Sequence, residues 1–339
     1  MNEQFFSQRV TGNSPLLDLG FDHPENPFCT DRYVMAMQQL GYECWVIGIR
    51  ANGALQDATI AVVRRGRVSA TLEIASLPAA AQKTTFWDGV YALSKRLRIT
   101  DLIAETFASS SFEIPQLRGE ISRGARTEYG LEIDNGDFAT RLSSSHKMNI
   151  KKARAAGVVL RRCSRHPESL ADHARMIGHS MDRRAARGES VSTISVATKE
   201  HRAYLESGAG ELFQAVHNGH VVSSLLLLRS ARTAYSQSTG TSAEGMGIGA
   251  SPFLIQSICV ELNRDGVRTF NLGGAPKGSS LAGFKAGFGA VEVTLCECAC
   301  YVGPVWLKKL RSTLQLARTD RAQFWKLLSE NSYTPGFPI

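Results

Sequence analysis

The sequence predicts an α/β (α+β layered) protein made of two similar halves, each a mixed, largely antiparallel sheet flanked by helices. Three observations lead to this prediction. The chain has 339 residues, more than one hydrophobic core usually holds. Short alternating segments typical of strands are interspersed with longer segments of helical periodicity. Each half has the same order of elements, namely a helix, an antiparallel meander, a helix and two strands, although no repeat is visible between the residues themselves.

The first half begins with a polar segment, residues 1–30, that is expected to be irregular. Its predicted elements are a helix at 31–40, strands at 44–50, 58–64 and 68–77, a helix at 85–97, and strands at 101–107 and 126–133. The segment 108–124 contains a proline and is expected to be a loop. These elements are assigned to a first domain, residues 1–140.

The second half begins with a helix that Ser143 to Ser145 can cap and that Gly157 ends. Its other predicted elements are a strand at 158–163, helices at 167–187 and 199–207, a meander at 211–217, 221–230 and 233–240, and a helix at 252–264 with its proline at the first position. These elements form a second domain, residues 141–303. Residues 304–339 are expected to form a basic helical tail.

Composition limits the class of protein. The formal net charge is +8, which favours an anionic partner such as RNA, a nucleotide or a phosphorylated substrate. No apolar run approaches the ~18–20 residues that span a bilayer, and no signal peptide is evident, so a cytoplasmic protein without a membrane span is expected. Cys296, Cys298 and Cys300 alternate along a predicted strand, a spacing that indicates core packing rather than a zinc site. The histidines show no metal spacing, so no metal or resident cofactor is expected.

The stretch 266–293 is the first candidate for chemistry. A short apolar strand ends at Gly273-Gly274, where positive φ angles are allowed and backbone can approach a ligand closely. A compact element with Phe284 and Lys285 follows, before a closing strand from Ala290. A lysine here can stabilise an oxyanion in acyl transfer or neutralise a phosphate. A surface lysine in a glycine-rich loop is the alternative interpretation.

Two further motifs are candidates for binding an anion. The first is a cationic ridge on the helix after Ser143, which suits a phosphate backbone or a diphosphate unless it is only a solvated face. The ridge consists of Lys147, Lys151, Lys152 and Arg154. The second is the glycine pair Gly247 and Gly249, which precedes a helix and is either a phosphate-binding loop or a flexible turn.

These motifs together resemble the FemAB-like branch of the GNAT acyltransferase superfamily, which includes the peptidoglycan-bridge-type aminoacyltransferases and related acetyltransferase-like proteins. The resemblance rests on three segments and covers most of residues 140–290. They are the basic helix and the turn after it at 147–158, the strand and glycine pair at 266–274, and the segment ending in Phe-Lys-Ala-Gly-Phe-Gly at 280–289. The sequence departs from the family pattern at Asn271, where Asp is frequent, and it shows no long helical arm of the kind that some bridge-forming members have.

The resemblance implies two tandem GNAT-like domains and transfer of an acyl or aminoacyl group to an amine. It assigns Lys285 the catalytic role of stabilising the transition state, in agreement with the interpretation from the residues. Substrate binding is predicted for Phe284, Gly273, Gly274, Asn271, Ser236 and Ser238. Donor or phosphate binding is predicted for Lys147, Lys151, Lys152, Arg154, Gly247 and Gly249.

The leading functional hypothesis is an acyltransferase that moves an aminoacyl group from aminoacyl-tRNA to an amine. The acceptor would be a peptide, a cell-wall precursor or a natural-product intermediate. An N-acyltransferase that uses acyl-CoA as its cosubstrate is the first alternative. The second alternative is a non-catalytic protein that binds RNA or a nucleotide. No general base stands out in the sequence.

Overall fold

A computed structural model of the chain describes residues 3–11, 16–19, 21, 25–107, 114–133, 137–163, 167–188 and 198–308. The strands of the first half are β1 (Glu3–Val10), β2 (Glu43–Ala51), β3 (Ala54–Arg65), β4 (Ala70–Ile74), β5 (Asp101–Ala104) and β6 (Glu120–Glu132). Its helices are α1 (Asp31–Gln39) and α2 (Thr84–Arg96). The predicted basic tail lies outside the described residues from residue 309 onward.

The second half contains five helices of seven residues or more and one shorter helix in its described part. Its helices are α3 (Ser144–Ala155), α4 (Pro167–Ala186), α5 (Thr198–Ser207), α6 (Ala243–Gly247), α7 (Ala250–Arg264) and α8 (Ser280–Ala286). Its strands are β7 (Val159–Cys163), β8 (Gly210–His217), β9 (His220–Arg229), β10 (Thr233–Thr241), β11 (Thr269–Gly274) and β12 (Val291–Tyr301).

All twelve strands belong to one sheet, in the order β1-β2-β3-β4-β5-β12-β6-β11-β10-β9-β8-β7. The two halves interleave at its centre, because β12 pairs with β5 on one side and with β6 on the other. Most neighbours are antiparallel, and the parallel pairs are β4 with β5 and β10 with β11. The predicted layered α/β fold with a largely antiparallel sheet is confirmed. The division of the chain at residue 140 stays a prediction.

The core also links the halves. One cluster of buried apolar side chains lies mainly in the first half with part of β12, a second lies mainly in the second half with part of β6, and a third joins the two halves. In the joining cluster, Tyr33 and Met37 of α1 pack with Tyr204 and Leu205 of α5 and with Leu226 of β9. The two halves are therefore held in a fixed relation by both the sheet and the core.

Three sequence predictions about elements were wrong. Residues 3–10 form β1, an edge strand that pairs along its whole length with β2. The expected loop at 108–124 gives way to strand β6 at Glu120. Helix α7 begins at Ala250 rather than at Pro252, because Gly249 adopts the left-handed conformation with φ of 77° and acts as its N-cap.

The alternating cysteines lie where the spacing predicted. Cys298 and Cys300 are buried and Cys296 is half-buried on one face of β12, packed against the core of the first half. Within the described ranges, no helix is both long enough and apolar enough to span a bilayer.

Candidate functional site

The site lies where the parallel strands β10 and β11 separate. Their pairing ends at Tyr235 and Asn271, and β10 then bulges between Ser236 and Ser238. Because the two strands diverge beyond this point, they leave a cavity of about 710 Å³ between them. Both halves of the chain line it. The residues from the first half are Phe28, Tyr33, Arg64, Glu73, Ala75, Glu105, Phe107 and Arg126. Of the site residues predicted from the sequence, those that line the cavity are Ser236, Ser238, Gly273, Gly274, Phe284 and Lys285.

Lys285 is held at this cavity by the backbone of β11. It lies in the last turn of α8, a helix whose N-cap is the Ser279 side chain, and it is only 7% exposed. Its Nζ donates hydrogen bonds to the carbonyl oxygens of Gly273 and Gly274, both at 2.8 Å. Gly273 has a φ of 75°, a conformation that favours glycine and that turns two successive carbonyls toward the lysine.

The environment of Lys285 changes its protonation. Burial lowers the pKa of its ammonium to about 8, with the carboxylate of Glu128 opposing this shift and the guanidinium of Arg126 adding to it. The lysine is therefore mostly charged at pH 7 and titrates just above it. A charge of this kind suits the stabilisation of a developing oxyanion.

A buried network supports the strand that carries Gly273. The carboxylate of Glu128, 1% exposed, accepts hydrogen bonds from Arg126, from the Tyr235 hydroxyl and from the Asn271 amide at 2.7, 2.7 and 2.8 Å. Asn271 in turn accepts from the Gly273 N–H at 2.7 Å. The Gly273 N–H is thus already bonded within the protein. Gly273 and Gly274 contribute to the site through their carbonyl oxygens, which hold the ammonium group of Lys285.

The segment around Phe284 is fixed by the helix that carries the cationic ridge. His146 in the first turn of α3 is buried, and its Nε2 donates a hydrogen bond to the carbonyl oxygen of Phe284 at 2.8 Å. Its ring packs against Phe284 and Phe288, with centroids 5.0 and 4.2 Å away. Burial lowers the pKa of His146, so the ring is neutral at physiological pH. This contact was not predicted from the sequence.

Ser238 belongs to a buried chain of hydroxyl and imidazole groups. His173, fully buried on α4, lies 2.9 Å from the Ser224 hydroxyl through Nδ1 and 2.8 Å from the Ser238 hydroxyl through Nε2. His201 Nε2 lies 3.4 Å from the same Ser238 oxygen. Burial lowers the pKa of His173 to about 3 and that of His201 to about 4. Two neutral imidazoles therefore orient the Ser238 hydroxyl at the cavity wall.

Sequence reasoning also missed the carboxylates of the cavity. Glu73 and Glu105 come from the first half and Glu200 comes from α5. Glu73 forms a salt bridge with Arg64 at 2.9 Å. Burial raises the pKa of Glu105 to about 7. The only available signal was that Glu105 directly follows an apolar strand, where a charged residue is unusual.

The predicted donor-binding residues lie elsewhere, and none of them lines this cavity. Lys151 and Lys152 are exposed on α3, and Lys147 reaches the carbonyl of Thr140 at 3.3 Å. Arg154 crosses to α7 and donates to the side chain of Gln256 at 3.0 Å. The ridge is an exposed basic surface beside the site, with Arg154 partly engaged in helix packing.

Of the two predicted phosphate-binding glycines before α7, Gly247 and Gly249, only Gly249 has a role in helix packing. A Cβ atom on Gly249 would lie 2.4 Å from the carbonyl oxygen of Asn149 on α3, so this glycine allows α3 and α7 to approach. Gly247 ends the short helix α6, and a Cβ atom there would meet nothing within 4 Å. Phosphate binding at either glycine stays a prediction.

A family model described as an acetyltransferase (GNAT) domain matches residues 141–285. A search of curated proteins found no match. Among solved structures, FemX is 12% identical with a TM-score of 0.62, covering 88% of this chain and 96% of its own. A tandem GNAT protein from the clavulanic acid biosynthesis pathway is 13% identical with a TM-score of 0.52, covering 89% and 99%. A protein of unknown function from Bacteroides thetaiotaomicron is 10% identical with a TM-score of 0.55, covering 87% and 99%.

The comparisons agree with the predicted resemblance, because a GNAT model matches much of the second half and solved structures of the FemX type share the fold. The family match contains every second-half residue that lines the cavity, and it ends at Lys285. Residues 141–285 therefore resemble an acetyltransferase (GNAT) domain, and the chain as a whole has the fold of FemX and of a tandem GNAT protein.

Proposed function

We propose that this acyltransferase forms amide bonds by moving an aminoacyl group from aminoacyl-tRNA to the amino group of a peptide or small-molecule acceptor. The observation that carries the proposal is the position of Lys285. A lysine ammonium has three N–H donors, and two of them are used by the carbonyls of Gly273 and Gly274. The third remains for a ligand in the cavity that Lys285 lines.

The chemistry follows from this arrangement. The acceptor nitrogen attacks the carbonyl carbon of the donor ester, and the carbonyl oxygen becomes an oxyanion in the tetrahedral intermediate. Lys285 stabilises that oxyanion through its third N–H. The bond from carbon to the ribose oxygen then breaks and the amide remains. Loss of one such donor in comparable sites lowers kcat by about 10²–10³.

The dimensions of the site support a large donor that stays mostly outside. A cavity of about 710 Å³ holds the aminoacyl end of the donor and the reactive end of an acceptor, but not a nucleic acid. The remainder of a charged tRNA would lie on the surface, where Lys151 and Lys152 are exposed. The net charge of +8 favours such an anionic partner.

Acyl-CoA is the second candidate donor, and one observation favours it. The family model that matches residues 141–285 describes an acetyltransferase domain. A thioester would react at the same cavity by the same route, with a thiolate as the leaving group. A non-catalytic RNA-binding protein, the remaining alternative, would have no use for a buried lysine at the wall of a cavity.

Donor choice is the test. The purified protein is incubated with a panel of radiolabelled aminoacyl-tRNAs and, separately, with acetyl-CoA and longer acyl-CoAs, each with a panel of amines and amine-bearing peptides. Consumption of charged tRNA with formation of a new amide supports the proposal, and consumption of acyl-CoA alone replaces it with the second candidate. RNA binding without transfer to any acceptor would favour the non-catalytic alternative.

The matched control is Lys285→Met, which keeps the aliphatic part of the side chain and removes the charge. We expect turnover to fall at least tenfold while donor binding and the thermal unfolding midpoint change little. Equal turnover in the variant would remove Lys285 from the catalytic role.

A further inference from the structure

Glu105 is a cavity carboxylate with no side-chain partner in the described part of the chain. It follows strand β5 in the first half of the chain and lines the same cavity as Lys285. Among the residues that the structure describes, its carboxylate makes neither a hydrogen bond nor an ion pair. A half-buried carboxylate in this state is costly, because burial removes water without supplying another donor. It is therefore available to a ligand.

The charged groups around Glu105 come from four strands. The carboxylates of Glu73 on β4 and Glu297 on β12 favour its protonated form, in the same direction as burial. The guanidiniums of Arg126 on β6 and Arg64 on β3 oppose them. Burial is the largest of these effects, and together they raise the pKa of Glu105 to about 7. The group thus exchanges its proton close to neutral pH.

Arg126 relates Glu105 to the catalytic lysine. Its guanidinium acts electrostatically on both Glu105 and Lys285, and all three side chains line the same cavity. Glu200 acts electrostatically on Arg64, Glu73 and Tyr204.

We propose that Glu105 is the general base of the transfer reaction and removes a proton from the acceptor amine. This inference rests on the proposed amide-forming function. It makes the site composite, because the second half supplies the lysine and the first half supplies the base. A continuous sheet and a shared core are what such a site requires, since they fix the distance between the two groups.

The proton balance of the step is simple. An alkyl amine reaches the site as an ammonium ion, which has no lone pair for attack. The Glu105 carboxylate takes one proton and leaves a neutral amine, which attacks the carbonyl carbon of the donor. The nitrogen of the tetrahedral intermediate loses a second proton, which ends on the departing ribose oxygen or thiolate. Glu105 then releases its proton to water, and the enzyme is restored.

The other bases of the cavity fit this role less well. The carboxylate of Glu73 is engaged with Arg64 at 2.9 Å. The imidazole of His173 is fully buried and touches the cavity only through Ser238. Its pKa of about 3 also leaves it too weak a base for an ammonium ion. Glu105 combines access to the cavity, a carboxylate that no described residue engages, and titration near neutral pH.

The test measures kcat and KM against pH for wild type and three variants, with the donor and acceptor that the wild type uses. Glu105→Gln keeps the size of the side chain and cannot accept a proton. We expect its kcat to fall about 100-fold or more with KM changed less than threefold, which is the size of effect typical of a lost general base. The rise in wild-type kcat with pH, centred near 7, should be absent.

Two further variants separate catalysis from structure. Glu105→Ala should regain at least tenfold activity when formate is added, because a small carboxylate can occupy the vacated space. Glu297→Gln removes a like charge from β12 without removing a cavity residue. It should keep at least half of the wild-type kcat and move the rise in kcat to lower pH. Far-UV circular dichroism and thermal unfolding check that each variant is folded.

The outcomes are distinguishable. If the wild type transfers an acyl group while Glu105→Gln keeps more than a third of its kcat, the assignment of Glu105 fails and the proposed function stands. If Glu105→Gln is slow but its rise in kcat with pH is unchanged, Glu105 is not the base. If the wild type transfers nothing from any donor, the proposed function and this inference both fail.

Discussion

The Nε2 of His146 lies 2.8 Å from the carbonyl oxygen of Phe284, to which it donates a hydrogen bond. This contact joins the helix of the cationic ridge to the segment that carries Lys285. A Cβ atom on Gly287 would lie 2.8 Å from the same nitrogen, so the absence of a side chain at Gly287 is what admits the imidazole. The position of the lysine therefore depends on a histidine that lies 139 residues earlier in the chain.

We expect Gly287→Ala to destabilise the protein by about 1–3 kcal/mol, the usual cost of overpacking a filled site. The φ of Gly287 is −61°, which alanine adopts readily, so the clash with His146 is the only source of the penalty. Urea unfolding measures the loss. Because α8 must shift to relieve the clash, kcat should fall as well.

The double variant His146→Ala, Gly287→Ala is the control for this prediction. Removing the imidazole makes room for the new methyl group, so the second substitution should cost much less than it does in the wild type. Contacting residues typically show coupling energies of about 0.5–3 kcal/mol. Additive losses would mean that His146 does not explain the glycine.

This chain has Asn271 at a position where Asp is frequent in the FemAB-like pattern. The contacts of Asn271 explain why an amide suits this position here. Its amide donates to Glu128 while its oxygen accepts from the Gly273 N–H. We expect Asn271→Asp to destabilise this protein, because it sets two carboxylates against each other beside a buried network. Protonation of either carboxylate removes the repulsion, so the deficit should be largest at pH 8 and should shrink toward pH 4. Unfolding midpoints measured across that range test this.

The compensating change is Glu128→Gln. In the Asn271→Asp background it should restore much of the lost stability, since a glutamine amide can donate to the new carboxylate. A double variant no more stable than Asn271→Asp alone would show that the repulsion is not the cause.

The local parts of the site could be predicted from sequence. The glycine pair, the lysine and the helix that carries it lie within fifteen residues, where turn and helix signals act over short range. The alternating apolar pattern was also sufficient for most strands. Strand β1 was missed because its exposed and half-buried residues give it the composition of an irregular segment, and its partner β2 lies more than thirty residues away.

The convergent parts of the site could not be predicted. Glu105 and Ser238 line the cavity from separate segments, while His173 and His201 contact Ser238 from two others, and no spacing between these residues is diagnostic. The interleaving of β12 between β5 and β6 decides which residues of the first half face Lys285. That arrangement depends on strand pairing at long range, which periodicity does not specify.

The pKa of Lys285, lowered to about 8 by burial, predicts a fall in activity at alkaline pH. The ammonium is the form that stabilises an oxyanion, and its population decreases as the pH rises through 8. We therefore expect the alkaline side of the wild-type kcat profile to fall with the loss of one proton centred near that pH, after the rise near pH 7 assigned to Glu105. This is tested by measuring kcat from pH 6 to 10 with one donor throughout, and by correcting for the spontaneous hydrolysis of that donor at each pH.

Lys285→Arg is the matched variant, because a guanidinium stays charged throughout this range. It should react more slowly at pH 7, since its planar group does not reproduce the two carbonyl contacts, but its kcat should not decline up to pH 10. A decline in Lys285→Arg with the same midpoint as in the wild type would assign the titration to another group.

The cationic ridge offers a test that distinguishes the two donors. Lys151 and Lys152 are exposed and lie outside the cavity, so an effect of these residues on binding must act on a part of the donor that stays on the surface. A charged tRNA has such a part, whereas a CoA thioester reaches the surface with only its nucleotide end. We expect Lys151→Glu and Lys152→Glu together to weaken tRNA binding at least tenfold.

The salt dependence of binding gives the more specific measurement. Each phosphate contact that is lost reduces the slope of log K against log salt by about 0.7–0.9, so the double reversal should flatten the slope by one to two units. Arg154→Gln is the comparison, because its guanidinium is occupied by Gln256 and its loss should leave the slope nearly unchanged. If the lysine variants bind tRNA with wild-type affinity and slope, the ridge is a solvated helix face. The proposal of an RNA donor would then have no identified surface for binding the tRNA.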